Sequence, residues 1–167
     1  MLWSLREGGS RPTARRAWAR PGQDDRAFRL NRSITSCDSA TEILGICSRH
    51  LSEFSEVNTS TALLRIAKAR DGRRSCGDSA FAALAGLACR IAADACARTL
   101  ANVAWSVARL SVEDGPLLDA IASQSIRIIR DFRSQELATT AWSFASLRVS
   151  DGPLLHAISA AAIRSLR

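Results

Sequence analysis

Residues 100–121 read LANVAWSVARLSVEDGPLLDAI, and residues 137–158 read LATTAWSFASLRVSDGPLLHAI. Laid over one another without a gap, Trp105 meets Trp142, Leu100 meets Leu137, Gly115 and Pro116 meet Gly152 and Pro153, and Ile121 meets Ile158, each pair 37 residues apart. Self-similarity at a fixed period of this size is the mark of a repeat architecture, in which one supersecondary unit is made again and stacked. The step also runs backwards with decay, since Leu84, Cys89, Arg90, Ile91 and Asp94 align with Ile121, Ile126, Arg127, Ile128 and Asp131. A fainter copy pairs Phe54, Leu64 and Ala67 with Phe132, Trp142 and Ala145, with residues 71–77 as a lengthened turn.

Each unit reads as a helical hairpin. In its first helix Leu100, Val103, Ala104, Val107 and Ser111 recur at i, i+3, i+4, i+7 and i+11, with Ala101, Trp105, Ala108 and Val112 on an adjoining stripe. Asn102, Ser106, Arg109 and Glu113 are left as one polar line. At the turn, Asp114-Gly115-Pro116 supplies a capping residue and a proline, which is tolerated in a first helical turn because its missing N–H has no partner there. The second helix then carries Leu117, Ile121, Ile128 and Phe132 on one side and Leu118, Ala122, Ile126 and Ile129 beside them. A hairpin apolar over so much of its circumference cannot bury that surface alone, and stacking neighbours is the remedy. The expected fold is therefore all-α, an α-solenoid of stacked hairpins with a 37-residue repeat over residues 33–167: degenerate units to about 99, clear units at 100–136 and 137–167. The last unit stops inside its second helix at Arg167, which reads as a truncated array.

Residues 1–32 differ in character. They hold eight Arg against Glu7, Asp24 and Asp25, a net +5 out of the chain's +7, and mix Gly8-Gly9, Pro12 and Pro21-Gly22 with no sustained period. They read as a disordered basic extension or an organellar presequence, which is Arg-rich and amphipathic. The remaining +2 is meagre for a nucleic-acid footprint, so the placement of charge matters more than its sum. With 47% apolar residues, 9 Gly and 4 Pro in 167, collagen-like, low-complexity and wholly disordered classes are excluded. No stretch reaches the roughly 18 apolar residues of a membrane span.

The blocks beginning at Leu100 and Leu137, each followed by a turn and a Leu-Leu-x-Ala-Ile helix, resemble the octotricopeptide and heptatricopeptide repeat proteins. They are also similar to the helical region of FAST-kinase-domain-like proteins. The likeness extends upstream through residues 34–44 and 62–68. It implies an α-solenoid that binds single-stranded transcripts in a mitochondrion or chloroplast and supports their translation, stability or processing, beside other proteins of an organellar RNA complex.

For such a role, polar groups are wanted at the repeat spacing, one unit addressing about one base. On the first helices Asn102, Ser106 and Arg109 correspond to Thr139, Ser143 and Ser146, groups able to exchange hydrogen bonds with a base edge. On the second helices Arg90, Arg127 and Arg164 form a ladder suited to phosphates. The competing reading of both lines is a solvated helix face; for Trp105 and Trp142 it is packing between units rather than base stacking. A protein-interaction scaffold is the alternative function, because helical repeats serve protein ligands as readily.

Enzyme signatures are missing: there is no GxGxxG, GxxxxGK[ST], HExxH or GxSxG, so neither catalysis nor a cofactor is expected. Cys37, Cys47, Cys76, Cys89 and Cys96 form no CxxC pair and sit at no ligand spacing from His50 or His156, so no metal is expected and the thiols read as reduced and buried. Cys89 and Cys96, seven apart, could face one another on a helix, but buried core thiols are the favoured reading.

Overall fold

A computed structural model describes residues 23–165 of the chain. Among these residues it has nine α-helices, two 3₁₀ turns and no strand. The helices are α1 (Gln23–Ser36), α2 (Ala40–His50), α3 (Glu56–Lys68), α4 (Gly72–Ser75), α5 (Ser79–Ala92), α6 (Ala97–Leu110), α7 (Gly115–Arg127), α8 (Ser134–Ser146) and α9 (Gly152–Ser165). On one side α1 packs on α3, α3 on α6 and α6 on α8; on the other α2 packs on α5, α5 on α7 and α7 on α9. Contacts of α2 with α3, α3 with α5, α6 with α7 and α8 with α9 join the two rows. One continuous core runs between them, from Leu30 and Ile34 at one end through Leu63, Leu84, Leu100 and Ile121 to Phe144 and Leu154 at the other.

The two clear copies are built with the same joints. α8 starts 37 residues after α6, and α9 starts 37 after α7. Asp114 caps α7 by accepting from the Leu117 N–H (3.0 Å), and Asp151 caps α9 by accepting from Leu154 (2.8 Å). Each first helix is closed by a residue at positive φ, Ser111 (59°) and Arg148 (57°). In both, two amides fold back on the last turn: Ser111 and Val112 donate to the Ala108 and Val107 carbonyls, Arg148 and Val149 to those of Ala145 and Phe144. This is the Schellman closure, made here without glycine.

Three expectations are corrected. The folded part begins well before residue 33, because residues 23–32 lie in α1 and bury Leu30 against the core, while the Asn58 amide donates to the Ala27 carbonyl (2.8 Å). The stripe that does this is narrow, Ala27, Leu30 and Ile34 set among Arg26, Arg29 and Arg32, and such a stripe resembles irregular sequence until a partner helix is present. The extension or presequence assigned to residues 1–22 lies outside the described residues. Secondly, α7 ends at Arg127; Ile129–Asp131 turn as 3₁₀ helix and Phe132 is extended and buried, so Ile128 and Phe132 are not on the second helix. Leu51–Glu53 and the extended, buried Phe54 form the same joint after α2. Thirdly, the lengthened turn at 71–77 contains the one-turn helix α4, with Gly72 buried against the Ile66 carbonyl.

Candidate nucleic-acid interface

α6 is flanked by α3, α7 and α8, so only a thin arc of it meets solvent. Its accessible residues are Arg98, Asn102, Trp105 and Arg109, spaced i, i+4, i+7 and i+11. Arg109 is exposed, Asn102 half-buried, and Ser106 fully buried. In the next copy Thr139 is half-buried and Ser146 exposed, while Ser143 is fully buried. Ser106 and Ser143 therefore leave the candidate line. Each hydroxyl is spent on its own helix, donating to the Asn102 and Thr139 carbonyls respectively at 2.7 Å. A serine can satisfy itself on the carbonyl one turn back, so a polar residue type does not oblige a solvent-facing position.

Asn102 and Thr139 come together. They line one cleft of about 270 Å³ between α6 and α8, with Arg98 on the first turn of α6 and Arg133, Gln135 and the carboxylate of Glu136 at the start of α8. A second opening of about 340 Å³ shares Arg98, Arg133 and Glu136 and reaches to Asp94, Asp131 and Gln124. Neither Arg98 nor Arg133 is in an ion pair among the described residues, where the Arg26–Glu53 ion pair and the His50–Glu53 contact lie elsewhere. Two unpaired guanidinium groups thus flank two hydrogen-bonding side chains, an arrangement able to hold a phosphate beside a base edge.

Arg98 and Arg133 are the residues the repeat spacing misses. The position 37 before Arg133 is Cys96, not an arginine, so the pair shares a cleft without sharing a register. Lys68 is a further miss: its ammonium lies 5.9 Å from the centre of the Trp105 ring, at the edge of the accessible arc. Trp105 is half-buried against the core, whereas Trp142 is 48% exposed and packs between no two units.

The ladder Arg90, Arg127 and Arg164 is exposed throughout. The three stand in the last turns of α5, α7 and α9, which pack side by side. A cation there also favours the negative end of the helix dipole. None of the three lines the clefts that hold Asn102 and Thr139, so the two candidate lines belong to different rows.

Three of the five thiols are held away from the thiolate form. Burial pushes the Cys47 thiol up to about 12, and burial is also the main cause that raises Cys37 and Cys76. Cys89 lies in α5 and its thiol donates to the Pro116 carbonyl (3.6 Å), while Cys96 caps α6; the two do not face one another on a single helix. Among the described residues all five cysteines are free, and no three His, Cys, Asp or Glu residues are grouped as a metal site. No helix there is long and apolar enough to cross a membrane. Comparison with protein-family models, curated proteins and solved structures finds no match.

Proposed function

We propose that the chain is an α-solenoid of 37-residue hairpins that binds single-stranded RNA, its target class being the transcripts of a mitochondrion or chloroplast. The observation that carries this reading is the α6–α8 cleft, where Asn102 and Thr139, one repeat apart, stand beside the unpaired Arg98 and Arg133. One nucleotide's base edge would be read by the amide or hydroxyl and its phosphate held by a guanidinium, with Arg109 further along the same arc. Successive nucleotides would then follow successive first helices.

The test is fluorescence anisotropy with a labelled oligouridine over a range of salt. Affinity is expected to fall with ionic strength, and Arg98→Ala with Arg133→Ala to flatten the log–log slope by about 1.4, at roughly 0.7 per phosphate contact on a single strand. Arg90→Ala, Arg127→Ala and Arg164→Ala, made together, would leave that slope unchanged if the cleft is the binding site. Absence of binding at low ionic strength would sink the reading. The second reading, a protein-binding scaffold, is favoured by Asp94, Asp131 and Glu136, which give the larger opening mixed charge and would repel phosphate, Glu136 lining the α6–α8 cleft as well. Crosslinking and sequencing of RNA from the native compartment separates the two and reports the organelle.

A further inference from the structure

α6 and α8 carry the same outward stripe, Ala101-Trp105-Ala108 and Ala138-Trp142-Ala145, at i, i+4 and i+7. Its fate differs. Ala101 and Ala108 are buried and Trp105 is half-buried, whereas Ala138 and Ala145 are exposed and Trp142 is 48% exposed. The second helices repeat the contrast: Leu118 is 3% exposed and its counterpart Leu155 38%, Ile126 36% and Ile163 58%. The neighbours explain it, because α8 packs on α6 and α9 on α7, while no described helix packs beyond α8 and α9. No acid lies among the exposed residues of α8 and α9.

We infer that the outer face of α8 and α9 is a docking surface for one further two-helix unit of the same pattern. The face continues the α6–α7 surface residue for residue, so what fits it is what fits that surface. Such an occupant carries a first helix resembling the buried side of α8, Leu137, Thr140 and Phe144 with half-buried Ala141. Trp142 would then be covered between small residues, as Trp105 is. A second copy of this chain fits poorly. Its own stripes of that kind are already buried, and among the described residues the exposed side of α1 shows Arg29, Arg32, Ser33 and Ser36, with Phe28 as its one large exposed apolar group. Polar ends close a stack of repeats, and apolar ends continue it. The inference does not depend on RNA binding.

A two-helix piece is not required to fold by itself if it is tethered. A copy of residues 131–167, with its tryptophan changed to Phe, is appended to the full chain, and the chain is labelled with 5-fluorotryptophan. The Trp142 resonance is assigned by Trp142→Phe, and its solvent isotope shift reports exposure. The shift is expected to fall to that of Trp105, and the melting temperature to rise. Ala138→Glu with Ala145→Glu, both at exposed sites, should restore the full shift while the chain stays folded. An unchanged Trp142 shift on extension overturns the inference, as does protection that survives the two glutamates. Protection of Trp142 in the unextended chain that grows with concentration, with a dimer in sedimentation, overturns it in favour of a second copy.

Discussion

The two halves of the molecule are held by different kinds of joint. After the start of α6 the helix ends are closed by residues next to them: Asp114 and Asp151 cap the helices they precede, Glu136 accepts from the Arg133 amide (3.0 Å), and the two positive-φ residues finish α6 and α8. Before α6 local caps are present too, Ser39 on α2, the Ser55–Asn58 box on α3 and Asp78 on α5, but joints that cross between helices are added. Asp71 accepts from the Ala40 amide (2.9 Å) and from the amide and hydroxyl of Thr41 (both 3.1 Å), thereby capping α2 from 30 residues away. Glu56 of α3 accepts from the Cys96 amide (3.0 Å) to cap α6, Arg65 donates to the Cys37 carbonyl (2.6 Å), and Asn58 ties α3 to α1. Where the repeat is clear, the joints at the helix ends are local; where it has decayed, cross-links are added to the local caps. Thr99 stands where the other copy has Glu136, and the α6 amide that loses its local acceptor is served by Glu56 instead.

The contrast can be broken most severely at Gly72. A β-carbon there would collide with the Ile66 carbonyl oxygen and lie 3.3 Å from Leu110, and a backbone atom cannot step aside as a flexible side chain can. Gly72→Ala is expected to cost about 3 kcal/mol in urea unfolding, at the top of the range for an overpacked site. Gly115→Ala and Gly152→Ala, with nothing within 4 Å, serve as controls from the other half. They should be close to neutral.

A smaller effect is expected at Asp71. The Ala40 amide is the largest of the causes that hold its carboxyl below the ordinary carboxylate range, with the Thr41 amide and hydroxyl adding to it. Because the folded-state value is depressed, the stabilisation is present above the unfolded value and is lost as pH falls through the depressed one. Asp71→Asn should therefore lower stability by about 1 kcal/mol at neutral pH, the scale of a lost cap, and reduce the further loss on acidification. Hydrogen exchange should show the first turn of α2 opening more often. Asp114→Ala, by comparison, should affect only the start of α7.

The smallest effect sharpens the comparison within the regular half. Arg148→Gly relieves a left-handed residue and should raise stability by about 0.5–1 kcal/mol. Ser111→Gly should gain less, because the Ser111 hydroxyl also accepts from the Arg73 guanidinium of α4. Equal gains in thermal melting would show that this cross-link contributes nothing.

These joints also explain what the sequence could and could not disclose. Helix positions from α6 to α9 were readable because period, cap and turn lie within a few residues of one another. The bonds of Asp71, Glu56 and Asn58 span 30 residues or more and have no local signature. Of the candidate site, Asn102 and Thr139 follow from the repeat spacing alone. Arg98 and Arg133 do not, since a cleft between two helices takes residues out of register. Residue type alone places Ser106 and Ser143 on the surface, whereas the packing of α3, α7 and α8 around α6, and of α6 and α9 against α8, puts them inside. Two other hydroxyls show the same limit: Ser125 and Thr140 are fully buried without a hydrogen-bond partner, at positions where other copies carry Ala88, Ala162 and Val103.

Lys68, held over the face of Trp105, is the chain's only lysine. Reagents that acylate primary amines thus have one side-chain target in the whole molecule, besides the amino terminus. A dye placed there would sit at the end of α3 beside a tryptophan on α6, and its quenching would follow the contact between those two helices as the chain folds, melts or takes up a ligand.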